Sequence, residues 1–144
     1  MLVPIQEYRK DNYTISTDPS RLQIDVIFEF LSRAYWSQGR SYQTVARSIE
    51  NSLCFGVYAG DGQIGLGRVI TDYSVYAHLC DVFILEAYRA RGLGKWLISC
   101  ILAYPELKDV KIWTLSTRDA HGLYRRYGFQ EVTTPGQRME MIRD

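Results

Sequence analysis

Apolar residues recur along the chain at two spacings, one typical of strands and the other of helices. Residues 12–17 alternate between polar and apolar and predict an opening strand. Residues 22–31 carry apolar side chains at helical spacing, and Ser41 is placed to cap a second helix that extends to Asn51. The first third of the chain therefore predicts one strand followed by two helices.

The middle of the chain predicts three consecutive strands. Residues 53–59 and 63–71 flank an Asp-Gly pair that favours a tight hairpin turn. Residues 76–85 form a nearly continuous apolar run, which is typical of a central strand. Gly65 and Gly67 inside the second strand predict a bulge or a close approach of two backbones.

The last third of the chain alternates helices and strands. Its pattern predicts a helix over residues 93–104, a strand over 110–116, a short helix over 119–127 and two final strands over 129–132 and 139–142. An antiparallel meander followed by crossover helices gives an α/β (α+β) fold, with a mixed sheet and helices on both of its faces.

Length and charge limit the classes of function. The 144 residues fit one domain (residues 1–144), and the net charge of +1 gives no long-range attraction to nucleic acid or to an acidic membrane. No apolar run is long enough to cross a bilayer, and residues 1–11 lack the apolar centre of a signal peptide. We therefore expect a cytoplasmic protein without a nucleic-acid or membrane partner.

The three cysteines do not form a metal-binding pattern. Cys54, Cys80 and Cys100 are odd in number, and none belongs to a C-x-x-C pair or stands at metal-ligand spacing from a histidine. We expect no metal and interpret all three as buried thiols, two in strands and one in a helix. A nucleophilic cysteine that carries an acyl group is the alternative.

A strand that runs into a basic turn and then a helix is the segment most informative about chemistry. Amides left free at a helix N-terminus bind anions, and Gly92 and Gly94 allow a phosphate to approach the backbone. A Walker A loop would need Ser or Thr where Trp96 follows Gly-Lys, and a dinucleotide fingerprint would need glycine at Leu97. Arg89-x-x-Gly92-x-Gly94 is the pattern that remains.

Two segments together resemble the GNAT acetyltransferases. The Arg89-x-x-Gly92-x-Gly94 turn is similar to the family's pyrophosphate loop, and residues 115–129 are similar to its closing motif, a strand and a helix that ends in Leu-Tyr-x-x-x-Gly-Phe. The resemblance spans residues 53–132 and includes a bacterial subgroup of the family. It implies a GNAT-like sheet with a splayed central strand pair, and transfer of an acetyl group from acetyl-CoA to a primary amine by direct attack in a ternary complex.

The resemblance also implies a coenzyme A site. The backbone of Val82, Phe83 and Ile84 would pair with the pantetheine arm as though it were another strand. Thr117 stands where many members have an asparagine that orients the cofactor, and Tyr124 borders the same site. The turn that would hold the pyrophosphate comprises Arg89, Ala90, Arg91, Gly92, Leu93, Gly94 and Lys95.

Tyr124 matches the tyrosine that protonates the leaving thiolate in many members. A free thiol has a pKa of about 8.5 and tyrosine of about 10, so this proton transfer is mildly uphill in water. His78 is the first candidate for the general base, with an ordinary pKa of about 6.5. Asp81 is the alternative; strict alternation puts it on the opposite face of the strand, where it would instead brace the sheet. Asp72 and an ordered water are further alternatives.

The acceptor amine, on a small molecule or a protein, is expected beside the loop between the first two helices. Tyr35, Trp36 and Arg40 lie on this loop, with Tyr73 and Tyr76 at the next rim. Trp36 offers an aromatic face to a cation, and Arg40 would suit an acceptor that carries a carboxylate. In the alternative interpretation, Trp36 packs against the sheet and Arg40 is solvated.

Two other properties stay open at this point. A non-catalytic acyl-CoA-binding sensor or scaffold would keep the basic turn but could dispense with Tyr124, so the presence of this tyrosine favours an enzyme. A homodimer is compatible with the sequence.

Overall fold

The computed structural model describes residues 3–144 and contains six strands and four α-helices in that range. In chain order these are β1 (Glu7–Lys10), β2 (Tyr13–Ser16), α1 (Ile24–Arg33), α2 (Tyr42–Glu50), β3 (Leu53–Ala59), β4 (Gly62–Thr71), β5 (Tyr76–Ile84), α3 (Leu93–Leu102), β6 (Ile112–Leu115) and α4 (His121–Arg125). No helix in the described range is long and apolar enough to cross a membrane.

All six strands form one sheet, in which they lie side by side in chain order. The first five pair antiparallel, whereas β5 and β6 pair parallel, so the predicted mixed and mostly antiparallel sheet is confirmed. The parallel ladder runs from Tyr76 opposite Ile112 to Leu79 opposite Leu115. Strand β5 continues five residues beyond this ladder, to Ile84, while β6 ends. The central strand pair is therefore splayed, as expected.

Helices cover both faces of the sheet. Leu97 and Ile101 of α3 belong to one apolar cluster, together with side chains such as Phe55 of the facing strand. Helices α1 and α2 contribute to a second cluster on the other face, which contains Ile27, Leu31, Val45 and Ile49 beside Leu66 and Phe83. Each such side chain contributes about 1.5–3 kcal/mol when it is fully buried.

The cap predicted for α2 is present. The hydroxyl of Ser41 accepts a hydrogen bond of 3.1 Å from the backbone N–H of Thr44. The Asp18-Pro19 segment forms a separate 3-10 turn, which Asp18 caps, and α1 begins only at Ile24.

Strand β1 was not expected from the sequence. Three of its four residues are charged, so it lacks the apolar alternation by which strands are recognised. It pairs with β2 as the first edge of the sheet, where its charged side chains remain largely exposed to solvent. Charge on an edge strand is a common protection against edge-to-edge aggregation.

The two final strands predicted over residues 129–132 and 139–142 are wrong, because no strand follows β6 in the described chain. Every residue from 130 to 144 is exposed, and the side chain of Met139 is 97% exposed. Apolar residues in this segment therefore bury no face that would favour pairing. Phe129 instead packs edge-on against Tyr124, with 5.8 Å between ring centroids.

A bulge interrupts the pairing of β4 with β5, as the two strand glycines predicted. Gly67 alone lies opposite both Asp81 and Val82, between the regular pairs Leu66–Phe83 and Arg68–Cys80. Asp81 takes a left-handed backbone conformation with φ of +49°. An extra residue at this position bends β5 and changes the direction of the side chains that follow.

The close packing at Gly65 gives a test of this part of the fold. A Cβ atom there would lie 2.8 Å from the carbonyl oxygen of Phe83, so we expect Gly65→Ala to lower the free energy of unfolding by about 1–3 kcal/mol. Gly62→Ala is the control, because its nearest neighbour, the oxygen of Ala59, would be 3.7 Å away. Denaturant unfolding measures both. Equal stability of the two variants would contradict the packing seen at Gly65.

Candidate active site

The bulge places Asp81 on the same face of the sheet as His78. Strict alternation put these side chains on opposite faces, and this prediction is wrong. The left-handed conformation of Asp81 breaks the alternation, and its carboxylate reaches Arg68 on β4, at 2.8 Å. Arg68 pairs across the sheet with Cys80, which shares a face with His78.

Four donor contacts hold the Asp81 carboxylate, whose side chain is fully buried. Arg68 donates to it from Nε at 2.8 Å, and Arg40 donates from Nη1 to both oxygens at 3.0 and 3.1 Å. Trp36 donates from its indole Nε1 at 2.8 Å. We call these four residues the Asp81 cluster.

The Asp81 cluster determines how that carboxylate is charged. Burial opposes ionisation of Asp81, but the charge and hydrogen bond of Arg68, followed by the charge of Arg40, outweigh it and hold its pKa below the ordinary value. A carboxylate with a lowered pKa and engaged oxygens is a poor proton acceptor. The structure thus favours the bracing role of Asp81 over a role as base.

The α1–α2 loop, residues 34–41, is attached to the centre of the sheet through the same cluster. Trp36 and Arg40 both point toward the sheet, and their polar atoms contact Asp81. This arrangement agrees with the alternative interpretation for Trp36 but not for Arg40, which that interpretation left solvated. Tyr35 lies edge-on to Trp36 at 5.2 Å between ring centroids and is about half exposed. The guanidinium of Arg118, on the loop between β6 and α4, lies 3.7 Å from the centre of the Tyr35 ring.

Tyr124 lies on α4, and its ring packs against the apolar cluster on the α3 face of the sheet, called here the α3-side core. Its pKa is raised above the ordinary value, first by burial and then by the neighbouring Tyr35. Its hydroxyl makes no hydrogen bond to any of residues 3–144. Tyr127, by contrast, donates from its hydroxyl to the backbone oxygen of Lys95 at 3.0 Å, so it ties the end of α4 to α3.

His78 and Tyr76 lie together at a groove of about 1430 Å³ that Tyr124 also lines. Thr114 of β6 joins them: its hydroxyl lies 2.8 Å from His78 Nδ1 and 2.5 Å from the Tyr76 hydroxyl. The pKa of His78 is lowered below 6.5, first by burial and then by Arg68 and Arg138. The imidazole is therefore neutral at pH 7 and can accept a proton.

Tyr73 is not at this groove. It packs partly buried against the α3-side core and lines a separate apolar cavity of about 380 Å³ with residues such as Ile49 and Leu53. Its left-handed conformation, with φ of +61°, directs the chain through the turn before β5. Of the two rim tyrosines predicted from the sequence, Tyr76 alone lies beside His78 and Tyr124.

The N-terminus of α3 is open. Gly92 precedes the helix with φ of +79°, no side chain caps the first turn, and a Cβ at Gly92 or Gly94 would meet no atom within 4 Å. The first amides of α3 therefore remain available to an anion. Leu93 is buried beneath this turn, whereas Lys95 is exposed.

The two arginines of the turn are directed elsewhere in this structure. Arg89 donates from Nε to the backbone oxygen of Ile84 at 2.9 Å, and Arg91 donates to the Tyr13 hydroxyl at 2.7 Å. Ala90 lies between them in a left-handed conformation, with φ of +64°.

Thr117 contributes to the geometry of the next turn. Its hydroxyl accepts a hydrogen bond of 3.0 Å from the backbone N–H of Ala120, just before α4. The hydroxyl proton remains available to a further acceptor.

The cysteines are free thiols of low reactivity. Cys54 and Cys100 are buried and Cys80 is partly buried. Burial raises the pKa of Cys54 to about 12 and that of Cys80 to about 11. Neither forms a thiolate at neutral pH, so the structure favours the interpretation of buried thiols over a nucleophile.

Comparison with known families now adds to this geometry. The model of the family described as "Acetyltransferase (GNAT) domain" matches residues 50–131, more than half of the chain. The chain belongs to the GNAT family of acetyltransferases. The matched range includes the bulge, the open helix N-terminus and Tyr124.

Individual GNAT relatives agree with this assignment. The chain is 40% identical to a "putative acetyltransferase belonging to the gnat family" from Xanthomonas campestris, with a TM-score of 0.89 over 92% of this chain and 94% of that chain. It is 28% identical to the "Putative acetyltransferase FG08082" of Gibberella zeae over 88% of this chain and 84% of that protein. A GNAT family acetyltransferase from Elizabethkingia anophelis, solved with acetyl-CoA bound, shares the fold at 18% identity, with a TM-score of 0.64 over 94% of this chain and 90% of that chain.

Three residues of this candidate site were not found from the sequence. Arg68 lies in a strand whose apolar neighbours gave no sign of a buried ion pair. Thr114 contacts His78 only because β5 and β6 pair in a particular register. Arg118 stands next to Thr117 in the closing motif of the GNAT family, and this position is the one signal by which it could have been found.

The Asp81 cluster predicts a large and pH-dependent loss of stability in Asp81→Asn. The neutral amide leaves two inward-facing arginines uncompensated, so we expect the free energy of unfolding to fall by about 3–5 kcal/mol at pH 7. A lowered pKa stabilises the fold above the unfolded value of about 3.9, and this contribution is lost as the pH falls through the folded value.

The difference in the free energy of unfolding between wild type and Asp81→Asn should therefore become smaller below about pH 4. Denaturant unfolding between pH 3 and 7 measures it, with Asp61→Asn at the exposed hairpin as control. A difference that is constant across this range would contradict an ionised Asp81.

Proposed function

We propose that this protein transfers the acetyl group of acetyl-CoA to a primary amine by direct attack in a ternary complex. The observation that carries the proposal is the combination of three features: the end of β5 that β6 leaves unpaired, the open N-terminus of α3, and the hydroxyl of Tyr124, which bonds to none of residues 3–144. The acetyl-CoA bound by the Elizabethkingia anophelis protein of the same fold supports it.

The residues present fit coenzyme A. Val82, Phe83 and Ile84 lie in the part of β5 that extends past the ladder with β6, so their backbone groups on that side are available to a pantetheine arm. The amides after Gly92 suit the pyrophosphate. Arg89 contributes by fixing the carbonyl of Ile84 at the end of the strand.

Acetyl-CoA supplies an activated thioester, and side chains of the groove accept and donate the protons that the reaction transfers. The amine nitrogen forms a bond to the carbonyl carbon as the bond from that carbon to sulfur breaks. His78, neutral at pH 7, accepts the proton that the amine loses. Tyr124, whose raised pKa keeps it protonated, donates to the departing sulfur.

Direct attack is favoured over an acyl-enzyme route by the state of the thiols. Cys80 and Cys54 lie on the face of the sheet that carries His78, and their pKa values of about 11 and about 12 leave little thiolate. The acceptor would meet Tyr76 in the groove, with Tyr35 and Trp36 of the α1–α2 loop as the further contacts proposed for it. Both small-molecule and protein amines remain within the proposal.

Binding of acetyl-CoA is tested by thermal shift in Gly92→Val. A ligand at 100 times its Kd stabilises the wild type by about 2.7 kcal/mol, and a side chain at Gly92 would cover the amides of α3. We expect the variant to show no shift. Gly60→Val is the matched control, since Gly60 also has a left-handed φ, of +60°, in open space at the distant hairpin.

Both variants should lose stability through backbone strain, but Gly60→Val should retain the full shift with acetyl-CoA. A wild-type protein that shows no shift at saturating acetyl-CoA contradicts the proposed function.

The proton donor is tested by Tyr124→Phe. We expect kcat to fall by about 10²–10⁴-fold with little change in acetyl-CoA affinity, because the ring still packs while the proton is lost. Tyr127→Phe is the matched control three residues away: it loses the bond to Lys95 and some stability but should keep kcat. Release of free thiol measures both rates. Equal kcat in the two variants would assign Tyr124 to packing.

A further inference from the structure

Three arginines lie in the α1–α2 loop or contact its side chains and their partners, and two of them are paired with a carboxylate. Arg68 and Arg40 both donate to Asp81, which is the carboxylate of this cluster. Arg118 is exposed and has no carboxylate of residues 3–144 within ion-pair distance. Its guanidinium contacts an aromatic ring instead, that of Tyr35.

Arg118 is adjacent in the chain to a residue of the groove. It follows Thr117, which lines the groove together with His78 and Tyr124, and its guanidinium contacts the ring of Tyr35 on the α1–α2 loop. Tyr35 also contacts Trp36, whose indole bonds to Asp81. The contact between Tyr35 and Arg118 therefore connects the α1–α2 loop to the loop between β6 and α4.

Stacking prepares the guanidinium for a planar ligand. Arginine presents its donors in a rigid fork that matches a carboxylate, and its faces can stack on an aromatic ring while the edges remain free to donate. At 3.7 Å from the centre of the Tyr35 ring, the face of Arg118 is occupied, and its N–H edge makes no hydrogen bond to residues 3–144.

We propose that Arg118 determines acceptor specificity by binding a carboxylate carried by the amine substrate. This inference rests on the proposed acetyl transfer. Arg40, which the sequence suggested for the same role, is already compensated by Asp81. The uncompensated positive charge also favours a neutral amine over an ammonium ion in the same place, which assists loss of the amine proton.

Matched pairs of acceptors test the proposal. Glycine, β-alanine and phenylalanine are each compared with the corresponding amide, which keeps the amine and removes the negative charge. We expect the wild type to favour the carboxylates by at least about 10-fold in kcat/KM, since hydrogen bonds to charged groups are the stronger class.

Variants of Arg118 test whether this residue causes the preference for carboxylates over amides. Arg118→Gln should remove the preference through the KM of the carboxylates and leave the amides unchanged, and Arg118→Lys should restore part of it, because charge remains while the fork is lost. Arg126→Gln, at an exposed arginine on the far end of α4, should keep the wild-type preference.

Three outcomes overturn the inference. Wild-type enzyme that uses amides as well as carboxylates contradicts it, and so does an unchanged preference in Arg118→Gln; in both cases the proposed acetyl transfer stands. Failure to acetylate any amine of either class, by a protein that gives no thermal shift with acetyl-CoA, rejects the proposed function together with the inference.

Discussion

A single buried carboxylate links the parts of this site. Asp81 lies at the bulge of the central strand, in a left-handed conformation that costs on the order of 1–3 kcal/mol for a residue other than glycine. An ionised carboxylate out of contact with water would cost several kcal/mol more without partners. Arg68, Arg40 and Trp36 supply those partners, and they come from β4 and from the α1–α2 loop. The same interaction therefore stabilises the bulge and attaches the α1–α2 loop to it.

The site consists largely of interruptions in the regular sheet. The ladder between β5 and β6 ends at Leu79, the bulge follows at Asp81, and the backbone beyond is unpaired on one side up to Ile84. Regular pairing along the full length of β5 would bury those backbone groups in hydrogen bonds to β6. Glycines at positions 65 and 67 make the irregularity sterically feasible, since side chains there would contact Phe83 or Ile101.

Sequence patterns predicted the features that follow from regular periodicity and missed those that depend on a local departure from it or on the register between strands. The amphipathic helices, the Ser41 cap and the strand glycines all follow from local rules, and the structure confirms them. The prediction of which face Asp81 occupies was wrong, because one positive φ reverses the alternation on which that prediction rests. The prediction of two final strands was wrong, because β-propensity without an apolar face to bury does not lead to strand pairing. The pairing of Arg68 with Asp81 depends on register between strands, which no single strand encodes.

The α1–α2 loop carries two kinds of side chain, those that bond to the buried carboxylate and those that do not. Trp36 and Arg40 belong to the Asp81 cluster, so a change at either alters the folding free energy and the shape of the central strand at once. Tyr35 is exposed, and its ring lies edge-on to Trp36 and against the guanidinium of Arg118. Under the proposed acetyl transfer, a new acceptor preference is therefore best engineered at Tyr35, where substitutions leave the Asp81 cluster and its contribution to stability intact.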